Sequence, residues 1–404
     1  MKIVVLKFGG TSVGTTKRIK KVANIITSYV RKGFRTIVVS SAMSGTTNDL
    51  IKKSRNISNN FDFSEYDVLV AAGEQISCAL ISGRLNHIGY KSQSWMSWQI
   101  PILTEGKHSS SRISKINKKK ILDYLKSGGI PVITGFQGVN NNNRITTLGR
   151  GGSDATAIMC AKFFKAKKCV IFTDVEGVYT TDPNNLRNAK KIKVISYEEM
   201  LEMASLGAKV MQPHSIQDAR LNRIEIDVKS SFINREGTLI TKRKNIFRNR
   251  TITGLTSTKN DAKVTLIGVK DRPGVAASVF KPLSQNYINV DMVVQTSSSN
   301  NNETDITFTI KSDDLSKTLK LIKQNSKIKY RDLIANKNVS KVSIVGVGMV
   351  TTPGVTYRMF QTLANKRINI LVIATSEIKI SVLIDKKNIK KALSALHKEF
   401  KLNS

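Results

Sequence analysis

Four residues stand in settings that could do chemistry on an anion: Lys7, Glu74, Arg150 and Asp154. Lys7 follows a short apolar run (Ile3, Val4, Val5, Leu6) and precedes Gly9-Gly10 and Thr11-Ser12. Paired glycines let a backbone turn sharply and bring its N–H groups close to a ligand. Thr11 and Ser12 are good N-caps for a helix expected through Ile19, Val22, Ile25 and Ile26. Free N–H groups, the positive end of a helix dipole and a cation together make a cradle for phosphate. The same stretch also fits an ordinary strand–loop–helix turn with a solvated Lys7. It lacks the G-x-x-x-x-G-K-[ST] spacing of a P-loop.

The stretch 148–157 is the most informative in the chain. Gly149, Gly151 and Gly152 flank Arg150, and Ser153-Asp154 open an expected helix. Arg150 can pair bidentately with a carboxylate or a phosphate. Gly151 and Gly152 permit close backbone approach, and Ser153 is expected to cap a helix whose N-terminus faces the anion. Asp154 either complements that helix dipole or holds Lys7 in place. Glu74, set among Ala71, Ala72 and Gly73, is either a solvated helix carboxylate or a group that holds a substrate ammonium.

These residues need elements to position them. Apolar runs at residues 3–6, 36–40, 130–134 and 169–173 read as strands. They end in polar or small-residue loops: residues 41–48 with many hydroxyls, Gly135-Phe136-Gln137-Gly138, and residues 174–183. Loops at strand C-terminal ends are where open α/β sheets bind ligands. The loop after Thr173 suits a nucleotide base and ribose. Asn140 to Asn143 read as a hairpin tip. Strands and helices alternate to about residue 240, which predicts an open α/β sheet with helices on both faces.

The C-terminal part holds an internal repeat. Val264-Thr265-Leu266-Ile267-Gly268-Val269 resembles Val342-Ser343-Ile344-Val345-Gly346-Val347. Pro273-Gly274-Val275 recurs as Pro353-Gly354-Val355, and Asn289 recurs as Asn369, 80 residues apart. Each copy reads as β-α-β-β-α-β, the ferredoxin-like pattern. The divisions expected are residues 1–245, 246–335 (with a linker) and 336–404.

Composition narrows the rest. The chain has 404 residues, 65 basic and 29 acidic, for a net charge of +36. Such a charge points first to nucleic acid. The Lys residues are dispersed, however, no aromatic interleaving or nucleic-acid motif accompanies them, and Lys excess runs with Asn excess. Compositional drift accounts for that pairing, so no nucleic-acid partner is expected. Lys7 and the glycines interrupt the one candidate N-terminal apolar stretch, so no signal peptide is expected. No run reaches the roughly 18 apolar residues of a membrane span, so no membrane partner is expected either. Cys78, Cys160 and Cys169 are too scattered for a disulfide framework or zinc site, and the four histidines lack metal-ligand spacing. A reducing cytoplasm is the expected compartment.

Taken together, Lys7 to Val13, Val39 to Asn48, Gly73-Glu74, Gly135 to Gly138, the stretch 148–157 and Phe172 to Pro183 resemble aspartate kinase, and the repeat resembles its tandem ACT domains. The resemblance covers nearly the whole chain. It implies an amino-acid-kinase fold followed by two ACT units, without an appended homoserine dehydrogenase. It also implies phosphorylation of the β-carboxylate of L-aspartate by ATP, the step that opens lysine, threonine and methionine synthesis.

A carboxylate with a pKa of about 3.9 is already ionised at neutral pH, so the reaction needs no general base. The obstacle is repulsion from the γ-phosphate, which positioning and electrostatics must overcome. By resemblance, Lys7 and Asp154 are catalytic. Lys7, Phe8, Gly9, Gly10, Ser153, Thr173, Asp174, Tyr179, Asp182 and Lys209 bind ATP, with Mg²⁺ arriving on it. Thr47, Glu74, Arg150, Gly151, Gly152 and Ser153 bind aspartate. Asp271, Gly274, Val275, Asn289, Gln295, Asn369, Ile370, Thr375 and Ser376 are the effector positions, with lysine or threonine the expected effector and a homo-oligomer the expected assembly.

Asn184 departs from the family, which usually has Arg after the Asp-Pro pair, and His214 stands where Arg is common. Two other readings share these residues. An amino-acid-kinase-fold enzyme with a different substrate is opposed by residues 8–13 and the ACT pair. A non-catalytic ACT sensor is opposed by the joint presence of Lys7, Glu74, Arg150 and Asp154.

Overall fold

Strand β1 (Ile3–Phe8) is buried along its whole length, as a parallel strand covered on both faces must be. It lies near the middle of the largest sheet. The structure, a computed structural model, describes residues 1–208, 210–242, 251–297 and 303–403. In chain order β1 is followed by α1 (Thr16–Arg31), β2 (Arg35–Ser40), α2 (Thr46–Ile57), α3 (Phe63–His87), β3 (Ser92–Trp95), β4 (Ile102–Glu105) and β5 (Arg112–Ile116). Then come α4 (Lys119–Lys126), β6 (Ile130–Thr134), β7 (Gln137–Val139), β8 (Ile145–Thr147), α5 (Gly152–Phe163) and β9 (Lys168–Thr173). This part closes with β10 (Val194–Ser196), α6 (Tyr197–Ser205), α7 (Pro213–Asn222), β11 (Ile226–Ser230) and β12 (Thr238–Thr241).

Eight strands form one sheet in the order β10-β12-β11-β9-β1-β2-β6-β3, and β1 runs parallel to both its neighbours. Strand side chains alternate between faces. Val4, Leu6 and Phe8 therefore pack with Ile19, Val22 and Ile26 of α1 and Cys78, Ile81 and Leu85 of α3. Lys7 falls on the opposite face, where α5 lies against β1. Helices thus cover both faces, as the alternation of elements predicts. By length and composition α3 is apolar enough to cross a membrane, but Val70, Ala71, Cys78, Ile81 and Leu85 are buried within this unit. A smaller sheet, β5-β4-β7-β8, carries the expected hairpin, whose tip is tied by Asn140 Oδ1 accepting from the N–H groups of Asn142 and Arg144.

The C-terminal part comprises β13 (Gly254–Ser257), β14 (Asp261–Lys270), α8 (Val275–Gln285), β15 (Val293–Ser297), β16 (Glu303–Lys311), α9 (Leu315–Lys323) and β17 (Asp332–Val345). It continues through α10 (Val355–Asn365), β18 (Val372–Ser376), β19 (Lys379–Asp385) and α11 (Ile389–Glu399). Both Pro-Gly turns start helices as expected. Gly274 and Gly354 are the N-caps of α8 and α10, at φ 88° and 85°. The two repeat copies share one strand: the first half of β17 pairs with β14, and the second half pairs with β19.

Two features differ from the expected divisions. Strand β13, which lies before the first repeat copy, pairs antiparallel with residues 342–345 of β17 and so completes the sheet of the second copy. The segment Tyr179–Lys190 belongs with the C-terminal unit rather than with residues 1–178. Thr180 explains this: its carbonyl accepts from Leu255 N–H at 2.7 Å, and its hydroxyl lies 2.9 Å from Nε2 of the buried His397. Sequence periodicity marks elements but not which neighbours they pack on, so a segment can leave its domain unannounced.

Candidate active site

Of the expected site residues, Lys7 and Asp154 are brought into direct contact. Lys7 Nζ lies 2.6 Å from Asp154 Oδ1, and each side chain is 10% exposed. The pair follows from topology: Lys7 points off β1 toward α5, and Asp154 occupies the first turn of α5. The ammonium sits over the glycine turn, 3.6 Å from where a β-carbon on Gly9 would be. The Gly9 N–H is held by Phe172 O at 3.1 Å, which fixes the turn against the end of β9.

Glu74 is the second element of the site. It is 3% exposed on α3, and Oε1 accepts from Ala42 N–H at 3.0 Å. Gly73 makes this possible, because any β-carbon there would lie 2.7 Å from that of Ala42. Ser77, one turn on, donates to Ser41 O at 2.7 Å. The other oxygen, Glu74 Oε2, is buried without a hydrogen-bond partner. Burial pushes this carboxyl up to about 8, outweighing the backbone bond from Ala42 that pulls it down. A buried acceptor left unpaired is costly, and an incoming ammonium would satisfy it.

Arg150 is the third. It is exposed, and no ion pair involves it among the described residues. Gly151 is the N-cap of α5 in the left-handed conformation, φ 74°, and a β-carbon on it would collide with Gln212 Cγ at 2.4 Å. Only glycine fits there. His214 also packs beside Gly151, and with Arg112 and Lys162 it counters the burial that raises the Asp218 carboxyl. Ser153 and Gly152 are buried in the first turn of α5.

Several expectations change in detail. Helix α1 begins at Thr16, not after Thr11-Ser12; Thr15 is its cap, accepting from Arg18 N–H. Ser12 instead donates to Ser231 Oγ at 2.8 Å. Ser153 is not the cap of α5, because Gly151 takes that position. Phe8 is fully buried and stacks on Phe172 with ring centres 4.8 Å apart, so its side chain serves the core.

Thr47 is half-buried in the first turn of α2. Thr173 donates to Asp174 Oδ1 at 3.1 Å beside the glycine turn. Tyr179 and Asp182 lie in the C-terminal unit, where Asp182 caps its own turn by accepting from Asn184 N–H at 2.9 Å. Lys209 lies outside the described residues. In the C-terminal part, Asp271, Asn289, Gln295, Asn369, Thr375 and Ser376 are exposed, Ile370 is half-buried and Val275 is buried. Asn289 lines a groove of about 460 Å³ with Phe280, Tyr287 and Val293.

Asp67 escaped the sequence reading. It is completely buried on α3, two turns before Glu74, and accepts from the Ser109 N–H and from Thr147 Oγ1 at the end of β8. An acid amid the apolar residues of α3, seven positions before Glu74, was the available signal.

The family models match this geometry. Residues 2–230 match the amino acid kinase family, and residues 264–325 and 342–400 match the ACT domain. An aspartokinase of Pseudomonas aeruginosa is 44% identical over 407 residues, covering 100% of this chain and 98% of that protein. The chain belongs to the aspartokinase family. Its fold superposes on E. coli aspartokinase III in complex with aspartate and ADP with a TM-score of 0.80 at 26% identity, covering 98% of this chain and 99% of that one. The same E. coli enzyme in complex with lysine and aspartate gives 0.81 at 27% identity, covering 99% and 100%. The aspartokinase fold therefore extends through both the catalytic and the ACT parts of this chain.

Proposed function

We propose that this aspartokinase transfers the γ-phosphoryl group of ATP to the β-carboxylate of L-aspartate, giving 4-phospho-L-aspartate and ADP. The observation that carries the reading is the buried Lys7–Asp154 pair above the Gly9 turn. Asp154 orients the ammonium, and Lys7 meets the charge that develops on the transferring phosphoryl oxygens. Gly9 and Gly10 let the backbone approach that group. Glu74 Oε2 takes the substrate ammonium, and Arg150 takes its α-carboxylate bidentately. Thr47, Gly151, Gly152 and Ser153 line the same substrate.

On the nucleotide side we assign Thr173 and Asp174 at the end of β9, together with Tyr179, Asp182 and Lys209. Mg²⁺ would arrive on the triphosphate and screen its charge. The three thiols are buried and raised by burial, which removes them as nucleophiles.

The product opens lysine, threonine and methionine synthesis in the cytoplasm, and the ACT units bind lysine or threonine as effector in a homo-oligomer. Equivalent positions in the two copies, Asn289 with Asn369 and Gln295 with Thr375, support an effector that recognises both. An assay of ADP release across aspartate, glutamate and acetylglutamate tests the reaction. Turnover with aspartate alone is expected, and preference for another acid would overturn the reading. Titrating lysine, threonine and both into that assay tests the regulation. Inhibition at millimolar effector is expected, with a coupling of about 1–3 kcal/mol. No change in rate or melting temperature would refute it.

A further inference from the structure

We propose that Asp67 is a positioning residue for the aspartate site: it anchors the loop against which the Arg150 turn is built. The inference rests on Arg150 binding aspartate, as assigned above. Asp67 is 0% exposed, and both its oxygens are engaged. Oδ1 accepts from Thr147 Oγ1 at 2.5 Å, and Oδ2 accepts from His108 Nδ1 at 2.7 Å. The Ser109 N–H points between the two oxygens, at 3.1 and 3.0 Å. Because a carboxylate only accepts, His108 must carry its proton on Nδ1.

Each partner leads toward Arg150. Thr147 is the last residue of β8, three positions before Arg150, and its carbonyl accepts from Ser111 N–H at 3.0 Å. Ser109 holds a left-handed backbone, φ 61°, which a non-glycine residue keeps only where its surroundings enforce it. The bonds to Asp67 supply that enforcement. In this conformation Ser109 O lies 3.1 Å from where a β-carbon on Gly149 would be. Gly149 O in turn accepts from Gly152 N–H at 3.0 Å, closing the turn over Arg150. A single buried carboxylate thus ties the residues before Arg150 to α3, the helix that also carries Glu74. Arg150 and Glu74, the groups assigned to the α-carboxylate and the ammonium of aspartate, are spaced by one shared anchor.

The test uses the full chain with Asp67→Asn, His108→Ala and Arg150→Ala, and Asp67→Asn combined with Arg150→Ala. Asp67→Asn should raise KM for aspartate by about 10-fold or more while KM for ATP stays within about 2-fold. His108→Ala removes one partner at a partly exposed position and should move KM for aspartate the same way by a smaller factor. With Arg150→Ala already present, Asp67→Asn should raise KM for aspartate no further, since the group it positions is gone. A purely structural carboxylate would cost the same in both backgrounds, and that result overturns the proposal. Unchanged KM for aspartate in Asp67→Asn also overturns it. If Asp67→Asn does not fold, an unchanged KM in His108→Ala overturns it alone. If Arg150→Ala leaves KM for aspartate unaltered, the assignment of Arg150 fails and this proposal falls with it. If Arg150→Ala raises KM and Asp67→Asn does not, only this proposal fails.

Discussion

Lys7 and Asp154 meet at 2.6 Å on the α5 face of the central strand, and the ammonium of that pair lies over the Gly9 turn. The two residues come from elements almost 150 positions apart. The pairing keeps the cation desolvated and aimed before substrate arrives, the condition under which a fixed charge contributes most to a transition state.

Replacing Lys7 with Ala should therefore act on the chemical step. We expect kcat to fall on the order of 10²-fold or more, with a much smaller change in KM for aspartate. Steady-state kinetics measure both. A variant with near-normal kcat would remove Lys7 from the mechanism.

Glu74, proposed to take the substrate ammonium, should make aspartate binding pH-dependent. Its carboxyl, raised to about 8 by burial, is mostly protonated at pH 7 before ligand binds. An ammonium against Oε2 stabilises the anion and pulls that pKa down, so binding should release protons at pH 7. Apparent affinity should rise with pH toward 8, by at most about tenfold per unit. Calorimetry at pH 7 in buffers of differing ionisation enthalpy reads the release directly, and zero release contradicts the assignment. Glu74→Ala should raise KM for aspartate and leave ATP affinity nearly unchanged.

At Asn184 the expected family cation is missing. The residue is exposed, and its N–H is held by Asp182. Restoring the charge with Asn184→Arg should lower KM for ATP and leave KM for aspartate alone. An unaltered KM for ATP would mean that another cation, such as the exposed Arg187, already serves the phosphates.

The histidine at position 397 predicts acid sensitivity of the C-terminal unit. It is 1% exposed, and burial holds its pKa below the ordinary value. In the unfolded chain it titrates near 6.5, so below that pH the unfolded chain takes up a proton that the folded chain refuses. Stability should fall as pH drops through 6.5 toward the folded value, by at most about 1.4 kcal/mol per unit. His397→Gln keeps a polar contact for Thr180 without titrating there. Denaturation midpoints at pH 7.5 and 5.5 should differ less in the variant than in the parent; equal differences would exclude His397 as the cause.

Site residues, fold elements and helix caps are not equally legible in the sequence. Lys7, Glu74, Arg150 and Asp154 could be picked out because each sits in a local context, glycine-flanked or among small residues, that makes little sense for packing alone. The α/β alternation and the 80-residue repeat were equally visible, since strand and helix periodicity and repetition are properties of nearby positions. Capping was less so: Thr15 and Gly151 displaced Thr11, Ser12 and Ser153, because several residues in each stretch could cap and only the path of the chain selects one.

By itself, then, the sequence determined the residue types of the site, the order of elements and the family. Tertiary structure alone decided which groups meet. It put Lys7 and Asp154 on one face of the sheet, left Glu74 Oε2 unpartnered, gave Tyr179–Lys190 to the C-terminal unit through Thr180, and buried Asp67 beneath the approach to Arg150. The reason is physical. Propensity and periodicity act over a few residues. A buried charge or an unsatisfied oxygen is set by partners scores of positions away, and those partners become neighbours only when the chain has folded.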